Sequence, residues 1–460
     1  MEKENRKMTD NTANAVGGKT RDQFDSRWGF ILACIGSAVG MGNLWRFPTM
    51  ISVYGGLTFL LPYLLFVLLI GSTGIIEEFA LGRAAGTGPV GAFGMCTEMR
   101  FGSRKAGEAI GVLPILGALG LAIGYTCVFG WIIKYTYMAV SGDLMAMGTE
   151  MAVIEDTFYN GTASAGSNNL FLIIGVLIAF GIMSFGISKG IEIANKILMP
   201  LLFGLLVVLA IYIATLPGAG DGYKYIFTFN GKGLADPKVW IFAFGQAFFS
   251  LSVAGNGSVI YGSYLSKDEN LPTAARNVAI FDTVASLLAA LVIIPAMATA
   301  GSALESGGPG LLFIYIVNVI NAMPGGRIIG IVFYVAVLFA AMSSIINMYE
   351  APVELLQQKL KLHRVAAVGI VLVICGAIAL AIQAIVSDWM DVISIYICPF
   401  GALLAGIMFF WLGSRKFVNA QASLGSPKPI GKWFYPLGKY VYCAAALVAL
   451  IAGAVLGGIG

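Results

Sequence analysis

The chain has 460 residues, of which 58% are hydrophobic and 11% are charged, with a formal net charge of +4 and a mean hydropathy of +0.85. Soluble proteins carry about 25% charged residues, so this composition excludes a water-soluble globular protein and predicts a polytopic membrane protein. The six cysteines lie in or beside apolar stretches without a C-x-x-C spacing, which argues against a disulfide framework or a cysteine metal site. The polar first residues lack the apolar core of a signal peptide, so we expect no cleaved secretory segment.

Apolar stretches of about 20 residues predict helices that cross a membrane, and eleven such stretches follow one another along the chain. We number them spans 1 to 11 in chain order: 28–52, 57–82, 108–140, 168–187, 190–215, 239–265, 273–301, 327–357, 365–387, 390–413 and 433–458. The predicted fold class is therefore an all-α polytopic membrane protein.

Lysine and arginine are concentrated in the N-terminal tail, residues 1–27, and in the loops that follow the even-numbered spans. The loop 141–167, after span 3, contains four acidic residues and no lysine or arginine. Because basic loops stay on the cytoplasmic side, we predict that the tail is cytoplasmic. Eleven crossings then place the C-terminus outside.

Span 1 contains a segment that is unsuited to a continuous helix, residues 36–48, with the sequence G-S-A-V-G-M-G-N-L-W-R-F-P. Glycine forms helices weakly and proline interrupts the backbone hydrogen bonds, and Asn43 and Arg46 are polar. Non-helical backbone is tolerated in a membrane only where it is buried in protein or lines a watery cavity. The segment therefore predicts a site for a polar ligand near the middle of the bilayer.

Span 6 contains a second such segment, residues 250–257, with the sequence S-L-S-V-A-G-N-G. Two interrupted spans at corresponding positions are typical of inverted-repeat transporters, whose binding site lies at the breaks. An odd number of spans in each repeat inverts the second copy. We therefore predict repeats at 28–215 and 216–413, each of five spans, followed by a linker and span 11 in 414–460.

Ordered motifs give nearly the whole chain a specific resemblance to one family. They are residues 36–48, Glu78 with A-L-G-R at 80–83, Ser188-Lys-Gly-Ile-Glu192, Asp236-Pro-Lys-Val-Trp240, Gly245-Gln-Ala-Phe-Phe-Ser250 and Ser343-Ser344. This set resembles the neurotransmitter:sodium symporter family, in its prokaryotic LeuT-like branch. The resemblance implies the LeuT fold, with broken helices 1 and 6, in a prokaryotic cell membrane. Eleven helices instead of twelve depart from the commoner family pattern, although some bacterial members share this departure.

The resemblance implies two sodium sites. One would use carbonyl groups and the hydroxyls of paired serines: Gly36, Val39, Ala340, Ser343 and Ser344. The alternative for the serines is that they only bond to their own helix backbone. The other site would use the Ala38 carbonyl, Asn43, Ser250 and Asp282, completed by the substrate carboxylate.

Asp282 is an ionisable residue inside a span, which is costly and therefore indicates a function. Relatives that need chloride carry asparagine at the matching position, and their chloride lies among residues matching Tyr63, Gln246, Ser250 and Ser286. The Asp282 carboxylate can supply this negative charge, so we expect no chloride requirement. The alternative is that Asp282 only pairs with a neighbouring helix.

The substrate is expected to be a neutral amino acid. Monoamine-selective relatives carry aspartate where this chain has Gly40, and an amino acid brings its own carboxylate. By similarity the substrate-binding residues are Ala38, Gly40, Gly42, Leu121, Tyr125, Phe249, Ser250, Ser252, Gly255, Asn256, Ser344 and Met348. Gly255 and Met348 would leave room for a bulky hydrophobic or aromatic side chain. Asn256 either faces this pocket, favouring a polar side chain, or satisfies backbone groups freed at the break.

The resemblance also implies gates. Arg46 and Asp391 would form an outer ion pair above Phe249, an aromatic lid, while Arg21 and Phe24 would form an inner latch. The usual acidic partner of that latch is replaced by Gln358, so Glu354 is an alternative partner. In span 5, Gly190 and Pro200 would allow local unwinding near the cytoplasm; the alternative is a static proline kink.

Together these features predict a sodium-coupled symporter, in which spans 1, 2, 6 and 7 rock against spans 3, 4, 8 and 9. A smaller or more polar substrate and a non-transporting amino acid sensor are the alternatives. An ion channel is disfavoured, since two broken helices around one site favour occlusion. An enzyme is disfavoured because the only histidine, His363, falls in a loop and no catalytic constellation accompanies it.

Overall fold

The computed structural model describes residues 24–253, 256–299 and 310–456, so the predicted site residues Arg21 and Gly255 lie outside the described residues. The regular elements in the described ranges are all helical. Spans 1 to 11 are formed, in order, by Arg27–Ala38 with Gly42–Tyr54; Gly56–Ala85; Lys105–Ser141; Asn169–Ser184; Ile187–Ala214; Pro237–Ser250 with Gly257–Gly262; Leu271–Thr299; Gly326–Leu360; Arg364–Ile382; 386–412; and Phe434–Leu456. The predicted all-helical fold class is confirmed.

Counted by length and apolarity, the described residues contain seven helices able to cross a membrane, or eight if the bent pair of span 1 is one crossing. Three features account for the difference between these eight helices and the eleven predicted spans. Span 4 has only 16 helical residues, and span 6 is interrupted. Spans 9 and 10 form one helical run, Arg364–Leu412, of 49 residues.

That run reverses direction at the 3₁₀ turn Gln383–Ile385. Residues 386–412 lie antiparallel to span 3, because Met390 contacts Gly124 near one end and Gly401 contacts Pro114 near the other. Span 9 starts beside the last turns of span 8, where Arg364 bonds to Glu350. Spans 9 and 10 are therefore two crossings joined by a tight turn.

One apolar helix was not among the predicted spans. Leu311–Ala322 precedes span 8 and packs on the loop between spans 3 and 4. Asn318 and Asn321 donate hydrogen bonds to the loop carbonyls of Thr149, Leu144 and Gly148. This helix has 12 residues, fewer than the roughly 20 that a membrane crossing requires, and it covers the end of the helix bundle.

The break in span 1 is narrower than the sequence segment 36–48. The first helix continues through Ala38, Val39 is extended, and π-helical backbone resumes at Gly42. The two halves are bent by 53°. The half before the break, which the charge distribution predicts to be the inner half and which is called so below, begins at the N-cap Ser26. The Ser26 hydroxyl accepts a hydrogen bond from the Gly29 amide, as expected for a serine N-cap.

The break in span 6 lies between Ser250 and Gly257, and both Ser252 and Asn256 have left-handed backbone, with φ values of 56° and 52°. The first half begins at the sequence Asp236-Pro237. The Asp236 side chain accepts from the Lys238 amide, and proline suits the first helical turn. These local signals fix where span 6 starts.

The basic loops meet at one end of the helix bundle. Arg83 donates hydrogen bonds to the carbonyls of Glu269, Gln421 and Leu424. Arg27 forms an ion pair of 3.1 Å with Glu269. Burial raises the pKa of Glu269, and the charges of Arg27 and Arg83 oppose this effect. Arg83, from the A-L-G-R motif, therefore ties the end of span 2 to two loops, the one between spans 6 and 7 and the one between spans 10 and 11.

Candidate functional site at the two helix breaks

A cavity lies where the breaks of spans 1 and 6 face spans 3 and 8. Its lining residues are Ser37, Ala38, Gly40, Gly42, Asn43, Ala118, Leu121, Tyr125, Phe249, Ser250, Ser252, Gly257, Ser344, Asn347, Met348 and Ala351. This set contains ten of the twelve predicted substrate-binding residues. The two others are Gly255, outside the described residues, and Asn256.

Asn256 does not line the cavity. It is fully buried, and its amide donates a hydrogen bond of 3.1 Å to the Glu78 carboxylate on span 2. In this structure Asn256 is therefore directed away from the cavity, and its contact with the substrate stays a prediction. The side chain instead donates a hydrogen bond to a buried carboxylate. This role resembles the alternative, in which Asn256 bonds to backbone groups freed at the break, but its partner is a side chain.

Ser37, Ala118, Gly257, Asn347 and Ala351 line the cavity but were not predicted as site residues. Helical spacing could have found three of them. Ala118 precedes Leu121 and Tyr125 by three and seven residues, and Asn347 and Ala351 continue the face that starts at Ser344. Residues at these spacings share one face of a helix.

Glycines bring the breaks into direct contact with their neighbours. A Cβ atom on Gly40 would lie 2.2 Å from the Ser344 hydroxyl, and one on Gly42 would lie 3.0 Å from the Phe249 ring. Larger residues would therefore push span 1 away from spans 8 and 6. This close approach explains why the glycines stand in a membrane helix.

A buried polar cluster lies at one edge of the cavity. The Asn43 amide donates to an Asp282 carboxylate oxygen at 2.7 Å and to the hydroxyls of Ser286 and Ser250 at 2.8 and 3.1 Å. The Ser250 hydroxyl donates to Asp282 at 2.8 Å. The Asn43 oxygen accepts from the Gly40 amide at 2.8 Å. The structure thus brings together the side chains predicted for one sodium site.

Residues matched to the chloride position of relatives surround the same carboxylate. The Tyr63 hydroxyl lies 3.5 Å from Asp282, and Gln246 donates to the Gly42 carbonyl. Among the described residues Asp282 has no lysine or arginine within 4.0 Å. Carboxylate and hydroxyl oxygens are hard ligands that suit a cation such as Na⁺, so Asp282 and Ser250 fit the ion that the cluster is predicted to hold. Asn43 presents its amide nitrogen to these two groups, while its oxygen accepts from the Gly40 amide.

The second predicted sodium site lies where span 8 meets the inner half of span 1. The Ser343 hydroxyl donates to the Ala340 carbonyl at 2.9 Å, which is the backbone bond of the alternative interpretation. The Ser344 hydroxyl is buried and has no hydrogen-bond partner among the described residues. Gly36 lies against Ser343, since a Cβ there would be 3.2 Å from that of Ser343. These contacts bring Gly36, Ser343 and Ser344 into one region.

The outer gate differs from the predicted ion pair. Arg46 and Asp391 are not within ion-pair distance in the described part of the chain. The Arg46 guanidinium instead lies over the Phe249 ring, 4.6 Å from its centroid. A cation over an aromatic face is stabilised by the ring quadrupole, so Arg46 and the predicted lid Phe249 act together above the cavity.

Of the residues predicted for the inner latch, Phe24, Gln358 and Glu354 are described, and their contacts are as follows. Phe24 packs against Phe30 of span 1 and Tyr261 and Tyr264 of span 6, with ring centroids 5.5, 5.8 and 6.4 Å apart. Gln358, at the usual acidic position, has its amide nitrogen near Gly91. Glu354 accepts from the Gly88 amide at 3.1 Å.

Two carboxylates tie the inner half of span 1 and span 6 to neighbouring spans. Glu192 on span 5 accepts from the Asp25 amide and the Ser26 hydroxyl, both at 2.8 Å. Glu350 on span 8 accepts from Tyr264 at 2.8 Å and pairs with both guanidinium nitrogens of Arg364.

Span 5 is helical throughout the segment that is predicted to unwind. Residues Ile187–Glu192 are π-helical, and the helix Ile193–Ala214 contains Pro200. Gly190 packs closely on span 4, where a Cβ would lie 2.2 Å from the Ile182 carbonyl. The segment is therefore helical in this structure, and its unwinding stays a prediction.

An all-helical bundle with two broken spans around a central cavity has the architecture of the LeuT fold. The family model described as the sodium:neurotransmitter symporter family matches residues 21–157 and 147–452, and the chain belongs to this family.

Individual relatives agree with this assignment. The uncharacterized sodium-dependent transporter YhdH of Bacillus subtilis is 30% identical over 93% of this chain and 97% of its own. The sodium-dependent neutral amino acid transporter SLC6A17 of Rattus norvegicus is 28% identical over 62% of this chain and 43% of its own. The crystal structure of MhsT in complex with L-phenylalanine matches with a TM-score of 0.83 and 31% identity, over 94% of this chain and 100% of that chain.

Proposed function

We propose that this protein is a symporter that uses the sodium gradient to take up a neutral amino acid by alternating access, without a chloride requirement. The observation that carries the proposal is the cluster of Asn43, Ser250 and Asp282 at the edge of the cavity. A sodium ion held by these oxygens would neutralise Asp282. It would also attract the carboxylate of a substrate in the cavity, which couples the two bindings.

The cavity favours a bulky hydrophobic or aromatic substrate. Leu121, Phe249, Met348 and Ala118 give it apolar walls, and methionine adapts to different shapes. The relatives add support, since SLC6A17 is named as a neutral amino acid transporter and MhsT was crystallised with phenylalanine. Ser37, Ser252 and Asn347 also line the cavity, and they favour the second candidate, a smaller or more polar amino acid.

Two sodium sites are proposed, one at the Asp282 cluster and one at Gly36, Ser343 and Ser344. Both lie beside span 1. Movement of its inner half, which Glu192 and Phe24 attach to spans 5 and 6, would open the second site toward the basic end of the bundle. We assign that end to the cytoplasm, because lysine and arginine are concentrated there.

A thermal-shift screen of the twenty amino acids, with Na⁺ or choline in the buffer, tests the proposal on purified protein. A ligand that binds the folded state raises the unfolding temperature by mass action. We expect a shift for large neutral amino acids only in Na⁺. An equal shift in choline would contradict sodium coupling, and a preference for small or polar amino acids would favour the second candidate.

Counterflow in liposomes then separates a transporter from a sensor. Vesicles preloaded with the unlabelled amino acid should accumulate the labelled one when Na⁺ is present on both sides. Binding without accumulation would identify a sensor. Replacing chloride by gluconate should leave accumulation intact.

A further inference from the structure

Span 5 contains a buried polar side chain, Asn195, whose amide oxygen has no hydrogen-bond partner in the described ranges. The residue is fully buried. Buried polar groups are nearly always hydrogen-bonded, and an unsatisfied one requires an explanation. The explanation depends on where this oxygen points.

The other half of the amide fixes its direction. The Asn195 nitrogen donates to the Ile191 carbonyl, one turn earlier, at 2.8 Å. The oxygen therefore faces away from its own helix, toward span 1. A Cβ atom on Gly36 would lie 1.9 Å from this oxygen and 3.2 Å from the Cβ of Ser343. Asn195 and Ser343 thus flank the same point of span 1 from opposite helices.

The electrostatics at this point favour a cation. The inner half of span 1 ends at Ala38, so the free carbonyls of its last turn carry the negative end of the helix dipole. The Ser344 hydroxyl, one residue along span 8 from Ser343, is also buried without a hydrogen-bond partner among the described residues. Carbonyl ends of interrupted helices are where transporters coordinate Na⁺, and a neutral amide oxygen adds a ligand without adding charge.

We propose that the Asn195 oxygen is a further sodium ligand at the site of Gly36, Ser343 and Ser344, supplied from span 5. This inference rests on the sodium coupling proposed above. It gives span 5 a direct part in ion release, because Asn195 lies between Gly190 and Pro200. Unwinding of that segment would withdraw one ligand, lowering the affinity of the site as a path to the cytoplasm opens.

The variant Asn195→Leu tests the proposal, since leucine fills a similar volume without the oxygen. The measurement is the Na⁺ concentration that gives half of the maximal thermal stabilisation of purified protein in the absence of an amino acid. We expect this concentration to rise about tenfold or more, as for other losses around a metal site. We expect the unfolding temperature in choline to stay equal or to rise, because an unsatisfied buried group has been removed. If Asn195 served only packing, the substitution would not raise the half-stabilising Na⁺ concentration while leaving the unfolding temperature in choline unchanged or higher.

Asn168→Leu is the matched control. Asn168 is also buried, and both of its side-chain polar atoms are without a partner among the described residues, but it lies against Gly130 on span 3. Its Na⁺ response should equal that of the wild type. If Asn195→Leu does not fold, Asn195→Ala replaces it with the same expectation.

Combination with Ser343→Ala tests whether the two residues share one ion. In the double variant, the half-stabilising Na⁺ concentration should rise by less than the product of the two single increases, because ligands of one ion are coupled. An unchanged half-stabilising Na⁺ concentration in Asn195→Leu, or strict additivity with Ser343→Ala, would overturn the inference while leaving the proposed symport intact. A wild type that Na⁺ does not stabilise would overturn both.

Discussion

At the scale of single residues, Asp282 holds the most consequential position. It is fully buried in span 7 and accepts hydrogen bonds from Asn43 and Ser250. In the described part of the chain no basic side chain pairs with it. A buried carboxylate without a cation is costly, which supports the proposal that this site receives a sodium ion.

Asp282→Asn should convert the protein into one that needs chloride. The substitution removes the negative charge and leaves Tyr63, Gln246 and Ser286 in place around the site. With sodium bound, an anion would then be favoured among these groups. We expect uptake by this variant to fall several-fold when gluconate replaces chloride.

The control for this experiment is Asp391→Asn, which removes a carboxylate outside the cluster and should stay chloride-independent. Chloride dependence in the wild type would show that Asp282 does not replace the anion.

Asn256 shows how one side chain can be close to a binding site without lining it. Its backbone is left-handed, with φ at 52°, and its amide bonds to Glu78. The residue therefore fixes the break of span 6 to span 2.

Asn256→Ala should destabilise the protein by about 1–3 kcal/mol, because Glu78 loses a buried hydrogen bond and alanine is strained in left-handed backbone. Asn256→Gly separates these two effects, since glycine tolerates the backbone but also lacks the amide. Thermal unfolding gives the stability, and the amino acid screen should show the same rank order as the wild type. A changed rank order would mean that Asn256 contacts the substrate in another state of the transport cycle.

At the scale of elements, span 5 combines two features that weaken a regular helix. It begins with the π-helical turns Ile187–Glu192 and contains Pro200 in its interior. A proline inside a helix removes one backbone hydrogen bond. The same segment contacts the inner half of span 1 through Glu192 and Asn195.

Pro200→Ala should restore a regular helix and make unwinding harder. We expect slower sodium-driven uptake in liposomes, with the half-stabilising Na⁺ concentration of the purified protein unchanged or lower. Pro62→Ala in span 2 is the control, since it also restores a helix interior but lies away from the inner end. Uptake at the wild-type rate by Pro200→Ala would identify a static kink.

At the scale of the whole molecule, a buried ionic network joins spans that are far apart in sequence. Glu350 of span 8 pairs with Arg364 of span 9 and accepts from Tyr264 of span 6. Arg364 also donates to the Met183 carbonyl of span 4. Phe24 packs against Tyr264. The network therefore connects the segments predicted to rock with the segments predicted to stay fixed.

Arg364→Met should destabilise the protein by about 3–5 kcal/mol, because it leaves Glu350 as a buried charge without its partner. The double variant Arg364→Met with Glu350→Gln should recover part of this loss, since no unpaired charge remains. Thermal unfolding in detergent measures both. Lys224→Met, which breaks an exposed pair with Asp221, should change stability by about 1 kcal/mol or less. Equal losses of stability at the buried and exposed pairs would contradict the expectation that Glu350 becomes a costly unpaired charge.

The sequence by itself determined the fold class, the two interruptions and most of the residues around the cavity. The fold class and the interruptions are local or periodic properties, whereas the residues around the cavity follow from the resemblance to the symporter family. Composition reports the membrane, glycine and proline report interrupted helices, and the motifs around Asn43, Ser250 and Ser343 are contiguous in the chain. The division into two repeats of five spans follows from the same reasoning and stays a prediction.

Only the tertiary structure decided which polar groups meet. Asn256 bonds to Glu78 across 178 residues, Arg46 lies on Phe249 and not against Asp391, and Asn195 faces Gly36. Hydrophobic periodicity gives the buried face of a helix but not the partner of one side chain on it. Most buried polar groups find a partner inside the protein, and that choice depends on how helices distant in sequence pack together.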